Sequence, residues 1–330
     1  MSGVGIDLGT ANTLVCHTRR GIVVQEPSVM VMRHNGTRHR KPLAVGQDAL
    51  DVLDRVAPGL TVVRPLYGGV ITDLDVSRRF IRTILRRGNA HAWMPARTHA
   101  AIGVPVGATA LERRALMEAA EAAHVARPML VAEPLAGAVG CGIDPSEART
   151  HMVVDIGGGT SEVTAFCFGE VVAHRSLRTA GNDMTLAVHR YLFETYGIDA
   201  AETEAEKLKI NASTGESPLV ARGREAVTGR PRLVSLTIEE VRDAVKPVTD
   251  VIVDTLAACL RDLPARCVTD VLDEGIVAFG GGSLLTGFDG QLADALGMPV
   301  HLADRPMTCV AEGAARCAND GAMARACSAA

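Results

Sequence analysis

The chain has 330 residues, enough for two domains with separate cores. Its 47% apolar content excludes a disordered chain, and its formal net charge of −4 gives no overall pull toward nucleic acid or an anionic membrane. The eight cysteines include no C-x-x-C pair, so no zinc site is expected, and with no signal peptide they read as reduced cytoplasmic thiols. No apolar run is long enough to span a bilayer. The N-terminus enters its first strand too soon to leave room for an amphipathic anchor helix.

Residues 3–32 read as three strands with turns at 9–12 and 19–21. The third is interrupted at Glu26-Pro27-Ser28, where proline favours a sheet edge or a bend. The first turn follows a definite plan. Val4-Gly5-Ile6-Asp7-Leu8 is an apolar strand carrying one carboxylate, Gly9-Thr10-Ala11-Asn12 is a glycine turn, and a second apolar strand follows. The basic segment 33–41 holds Asn35-Gly36, the signature of a hairpin tip, and in an acidic chain it is read as a solvated turn rather than a nucleic-acid patch. A strand and short helix follow at 43–56, then an extended stretch at 61–75. Residues 76–87 form an amphipathic helix with Val76, Phe80 and Ile84 on one face, arginines on the others and Gly88 as its cap. Trp93-Met94 lies in a loop. It reads either as a core-capping aromatic or as an apolar finger for a membrane interface, with Arg86, Arg87 and Arg97 to meet anionic head groups.

Next come a strand at 99–104, a helix at 110–123, a strand at 129–134 and a small-residue helix at 135–142. Pro134 suits a first helical position, which leaves Glu133 at the helix start facing a cleft; the plainer reading is an acid stabilised by the helix dipole. Val153-Val154-Asp155-Ile156-Gly157-Gly158-Gly159-Thr160 then repeats the plan of residues 4–12. A carboxylate among buried apolar residues is costly without a partner. Beside bare backbone N–H groups it is what Mg²⁺ and a phosphate need. Two copies in two halves of one chain point to a duplicated domain with one phosphate cradle between the halves.

Beyond it lie a strand at 169–173, a helix at 185–196 opened by Gly181-Asn182-Asp183-Met184, and a charged helix at 201–209. Glu206 and Lys209 share one face of the charged helix, and taken alone they read as a solvated pair. A hairpin at 223–236 turns at Thr228-Gly229. A long helix at 237–260 is capped by Thr237 and Glu240 and is expected to bend at Pro247. The strand at 275–279 runs through Gly280-Gly281-Gly282-Ser283 into a helix expected from Leu284, an anion- or nucleotide-receiving geometry. A strand at 300–302 and a helix at 308–324 close the chain. Strands alternating with helices, with hairpins at the phosphate turns, give mixed sheets: an α/β protein of two domains about a cleft.

The three glycine stretches and Glu133-Pro134 resemble the actin-like ATPase superfamily, which also holds sugar kinases and chaperones. Glu26-Pro27-Ser28-Val29, Val63-Arg64-Pro65-Leu66, Gly69-Val70-Ile71, Gly103-Val104-Pro105, Glu133-Pro134-Leu135-Ala136 and Ala205-Glu206-Lys207-Leu208-Lys209 resemble the MreB family of bacterial actins over residues 3 to about 318. The resemblance implies two duplicated lobes, at 1–144 with an insert near 33–75 and at 145–330 with an insert near 182–244, and a C-terminal helix (308–324) that packs back on the first lobe. It implies that Gly9, Thr10, Ala11, Asn12, Gly157, Gly158, Gly159 and Thr160 hold ATP phosphates, and that Asp7 and Asp155 fix Mg²⁺ through waters. Glu133, helped by Thr160, would orient the attacking water. Glu206 and Lys209 would clasp the ribose and adenine, reversing the surface reading, and Gly280, Gly281, Gly282 and Ser283 would support the base. Trp93 and Met94 would touch lipid.

The expected protein is a weak ATPase, cytoplasmic and peripheral on the inner face of the cell membrane. It would form filaments of double protofilaments, work with cell-wall synthesis or morphogenesis proteins, and bind no nucleic acid. Three departures are visible: Asn182-Asp183-Met184-Thr185 where the family usually has Gly-Asp-Glu-Met-Asp, Phe279 in place of a threonine, and a longer Trp93 loop. They suggest a divergent paralogue with impaired polymerisation or hydrolysis as one alternative. A small-molecule kinase on the same fold is another. A chaperone would need a further peptide-binding domain after the second lobe.

Overall fold

The computed structural model describes residues 3–33, 42–55, 57–88, 99–125, 127–215 and 217–328. Trp93 and Met94, and most of the basic segment at 33–41, lie outside the described residues.

Among the described residues, the two main sheets have five strands each and the same topology. In the first, Gly3–Leu8 pairs antiparallel with Asn12–His17, which pairs antiparallel with Gly21–Pro27. On its other side Gly3–Leu8 pairs parallel with His99–Val104, and that strand with Pro128–Ala132. In the second, His151–Ile156, Ser161–Cys167 and Glu170–Leu177 repeat the antiparallel run. Ile276–Phe279 and Val300–Leu302 repeat the parallel side. Asp7 and Asp155 each stand one residue before the end of the equivalent strand. The duplicated carboxylate-and-turn plan is therefore a duplicated sheet. Pro27 ends an edge strand, where its missing N–H breaks no ladder.

Smaller sheets interrupt both halves: Ala44–Val45, Met30–Arg33 and Leu60–Val63 in the first, and Ile198–Ala200, Leu219–Glu225 and Pro231–Leu236 in the second. Each half buries its own apolar cluster. A third cluster joins them at the base of the cleft, where Val153 and Phe279 of one half meet Leu135, Val139, Val310 and Ala314. Burying a ring such as the fully enclosed Phe80 or Phe279 is worth about 1.5–3 kcal/mol relative to exposure. No described helix is long and apolar enough to cross a membrane.

Several elements differ from their sequence expectations for local reasons. The helix expected at 76–87 begins earlier, at Leu74–Arg87, because the Asp73 carboxylate accepts the Val76 N–H. Its Gly88 cap has φ −68°, so no left-handed residue is needed there. The helix expected at 135–142 is Glu133–Gly140, capped by extended Ala132. A first-turn proline forfeits no hydrogen bond, so Pro134 sits one position inside the start. The helix expected at 185–196 gains a full turn as Gly181–Tyr196, and the charged helix runs on as Glu202–Thr214. The glycine turn after Phe279 does not open a helix at Leu284. It is a 3₁₀ turn, Gly281–Leu284, and the helix starts at Phe288 after Gly287, at φ +78°, redirects the chain. The C-terminal helix breaks into Cys309–Asn319 and Gly321–Ala326, because Asp320 leaves the helical region and accepts the Ala322 and Met323 N–H groups as a new cap.

Candidate functional site

A cleft of about 370 Å³ opens between the two five-stranded sheets. Its walls bring together Asp7, Gly9, Thr10, Ala11, Asn12, Glu133, Asp155, Gly157, Gly158, Gly159, Thr160, Glu206, Lys209, Gly280, Gly281 and Gly282. Ser283 is not among the wall residues. It is buried, and its hydroxyl donates to the Gly280 carbonyl at 2.7 Å, closing the 3₁₀ turn from behind.

The two glycine turns face each other at contact distance. A Cβ on Gly158 would lie 2.5 Å from the Ala11 Cβ, and one on Gly159 would lie 2.8 Å from the Thr10 hydroxyl. Only bare backbone allows the two halves to approach this closely, and bare backbone leaves N–H groups free to meet an anion. Gly280, at φ +84°, turns under Asp155, and a side chain there would strike the carboxylate.

Three carboxyl groups, Asp7, Asp155 and Glu133, line this space, and a fourth, Glu162, is buried outside its lining but close enough to act on two of them. Burial pushes Asp7 up to about 7. Asp155 is held well above the usual range, first by burial and then by Asp7 and Glu162. Glu133 is raised well above it by burial, then by Asp7, Glu162 and Asp155. Glu162, almost wholly buried, is pushed up to about 7 by burial although the Val106 N–H donates to it at 3.3 Å. Every influence on Asp155 and Glu133 acts in one direction, burial first and then the neighbouring acids. Such a site fits a divalent cation. Among the described residues no three His, Cys, Asp or Glu side chains form a direct metal cage. Two carboxylates, Asp7 and Asp155, beside glycine turns fit Mg²⁺, which keeps waters and takes phosphate oxygens beside one or two carboxylates.

On the far wall Lys209 Nζ pairs with Glu206 at 2.7 Å and donates to the Gly181 carbonyl and Thr185 Oγ1, both at 2.9 Å. Lys209 is mostly enclosed and both residues face the cleft, so the reading of this pair as a surface feature is corrected. Three-residue helical spacing also fits two side chains aimed into a cavity.

Sequence reasoning missed several residues that hold the turns in shape. Ser28 Oγ donates to the Gly9 carbonyl at 2.6 Å and its N–H to the Ala11 carbonyl at 2.8 Å. The Gly69 N–H donates to Thr10 Oγ1 at 2.9 Å. The Asn182 N–H donates to the Gly158 carbonyl at 2.8 Å. Ser28 and Gly69 stand out in the sequence only within stretches that carry the family resemblance, with no role assigned to them; the pair Gly68-Gly69, both at positive φ, is a visible turn signal.

Two like-folded lobes, meeting at paired glycine turns over a carboxylate-lined cleft, define the actin-like class of proteins. Residues 1–325 match the family described as MreB/Mbl protein. The chain is 36% identical over 316 residues to the cell shape-determining protein MreB of Escherichia coli K12, covering 94% of this chain and 91% of that one. It superposes on MreB5 of Spiroplasma citri bound to AMPPNP with a TM-score of 0.87, at 28% identity, covering 94% of each chain. It also superposes on the MamK double helical filament with a TM-score of 0.78 over 97% of this chain and 99% of that one, a likeness of fold at 23% identity. The chain belongs to the MreB/Mbl family of actin-like, cell-shape-determining proteins.

Proposed function

We propose that the chain binds ATP with Mg²⁺ between its lobes, hydrolyses it slowly, and couples that cycle to filament assembly on the inner face of the cell membrane, in the control of cell shape and cell-wall synthesis. The observation that carries the reading is the convergence of two touching glycine turns and three acids, Asp7, Asp155 and Glu133, on one cavity. The Spiroplasma relative is described with a bound ATP analogue, the Escherichia relative as cell-shape-determining, and the MamK structure as a double helical filament.

In this reading the N–H groups of residues 9–12 and 158–160 hold the phosphates, the Gly157 N–H instead closing its own turn on the Thr160 carbonyl at 2.9 Å, and Glu206, Lys209 and the Gly280–Gly282 backbone hold the nucleoside. Bound through waters on Asp7 and Asp155, Mg²⁺ would supply neutralising charge for the phosphates. Glu133 orients the attacking water and takes its proton, for which a carboxylate of raised pKa is the better base; the Thr160 hydroxyl fixes the water's other side. The remaining work is positioning. Trp93 and Met94, with Arg86, Arg87 and Arg97 near them in sequence, are the segment that would meet an anionic membrane surface. Double protofilaments are the assembly expected.

Glu133→Ala is expected to retain ATP binding and to lose about a hundredfold or more in phosphate release. Sedimentation and electron microscopy with ATP and Mg²⁺, with and without lipid, run beside the phosphate assay. Equal turnover in variant and parent removes Glu133 from its role, and a parent that assembles under neither condition removes the filament. Phosphate release without any acceptor weighs against a small-molecule kinase.

A further inference from the structure

The Glu133 helix and the Asp155 strand meet behind the cleft, and one aromatic ring, from the strand beside Asp155, packs between them. Phe279 ends the strand Ile276–Phe279, and its Cα is the register partner of Asp155 on the neighbouring strand. Its fully buried ring crosses to the helix Glu133–Gly140. There it occupies the space where residue 137 would carry a side chain. A Cβ on Gly137 would lie 2.9 Å from the ring Cε1 and nearer still to Cζ and Cε2.

Gly137 lies one helical turn beyond Glu133 on the same face of the helix, so the ring packs against the face that carries the carboxylate, one turn further along. On an adjoining face the helix Cys309–Asn319 approaches to backbone contact, since a Cβ on Gly140 would overlap the Cys309 carbonyl and one on Gly313 the Ala136 carbonyl. That second helix sits equally close on the Asp7 strand at Gly5. Interiors packed at this density transmit small displacements rather than absorbing them.

We propose that Phe279, seated on Gly137, is a positioning residue for hydrolysis: its ring sets the Glu133 helix at a fixed distance from the Asp155 strand. The assignment rests on the proposed role of Glu133 in orienting water. Phe279 itself lies beneath the cleft and touches no reactant. Shortening its side chain leaves the phosphate turns in place and frees the helix to settle into the gap.

The test is a complementary pair of substitutions, read by steady-state phosphate release, fluorescent ATP-analogue binding and thermal unfolding of each variant. Phe279→Leu removes the ring tip and is expected to lower kcat about tenfold with ATP affinity held within about twofold, because a displacement of an ångström in a positioning group acts on turnover. Gly137→Ala is expected to lower kcat further, since the new methyl meets the ring. The double variant Phe279→Leu with Gly137→Ala places that methyl where the ring tip was, and kcat returns to within about threefold of the parent, a coupling that independent sites do not produce. Unchanged kcat in Phe279→Leu overturns the proposal, as does a double variant no faster than Gly137→Ala alone. Loss of affinity and turnover together in Phe279→Leu marks the ring as ordinary core and also overturns it. A parent that binds ATP and releases no phosphate overturns instead the reading of Glu133, and the proposal falls with it.

Discussion

Gly158 and Ala11 meet from opposite lobes with no room for one more methyl between them. Gly158→Ala should therefore push the two turns apart by the width of that methyl, tilting N–H groups that must converge on one anion. The expected result is a loss of ATP affinity of about tenfold or more with little change in unfolding temperature, because both turns lie at the open cleft rather than in either core. Isothermal titration with ATP and Mg²⁺ checks it, and affinity within twofold of the parent would sink the claim that the turns act together. Asp7, Asp155 and their glycines were legible in the sequence because a carboxylate in an apolar strand is anomalous by itself and the anomaly repeats. Ser28 was not legible. Its hydroxyl matters only because a strand reversal brings it under the Gly9 carbonyl, and nothing in its neighbours announces that. Glu162 sits seven residues after Asp155 in plain view, yet its burial among other acids depends on the lobe-to-lobe contact at Val106.

At the scale of an element, the long helix Ile238–Asp262 illustrates what local chemistry decides. Its capping box is complete: the Glu240 N–H donates to Thr237 Oγ1 at 3.1 Å and the Thr237 N–H to Glu240 Oε2 at 2.8 Å. Such a box is readable from four residues because it needs only those four. The tertiary additions are not readable. Tyr191 donates to Glu240 Oε1 at 3.0 Å, and Tyr196 donates to the same oxygen. The Tyr196 hydroxyl, the Thr237 N–H and Tyr191 together hold the Glu240 carboxyl down at about 2. Tyr196 is pushed up to about 12 chiefly by that bond, so it remains a donor at any working pH. A carboxyl whose folded pKa is depressed lends stability in full above its unfolded pKa, and that contribution fades as pH falls from about 4.5 toward about 2. Unfolding temperatures followed from about pH 6 to about pH 3 should thus fall more steeply for the parent than for Glu240→Gln, by a modest margin since the site is half-exposed and solvent screens it. Parallel curves would show that Glu240 does not feel the tyrosines. Thr237→Ala should cost about 1 kcal/mol at neutral pH. The misread turn at Gly280 is the converse case. A glycine run leading from a strand into apolar residues reads as a helix start, and only packing of Gly282 against Ile156, with the Gly280 N–H bonded to the Pro306 carbonyl, tightens it to 3₁₀.

Across the whole molecule the lobes are fastened unequally. The base is glycine-tight and apolar, with Phe279, Leu135 and Val310 in one cluster. A polar fastening joins the first lobe's insert to the helix Glu202–Thr214: Arg64 Nη2 meets Glu202 Oε1 at 3.4 Å, and the Thr203 hydroxyl donates to Asp54. The same helix carries Glu206 and Lys209, so this fastening links the insert to the wall that would hold the nucleoside. Exposed ion pairs of this kind contribute about 0–1 kcal/mol and weaken with salt, whereas a packed base does not open at that cost. Under the proposed function, release of nucleotide by motion about the base would break this contact at the lower cost. Arg64→Ala is accordingly expected to change unfolding free energy by less than about 1 kcal/mol. It should speed release of a fluorescent ATP analogue about threefold in stopped-flow, and the difference should shrink as ionic strength rises toward about 1 M, where screening acts within about 3 Å. Identical release rates at low salt would mean that the Arg64–Glu202 contact does not restrain the cleft. A difference that persists undiminished at high salt would assign the effect to the packing of the Arg64 stem rather than its charge.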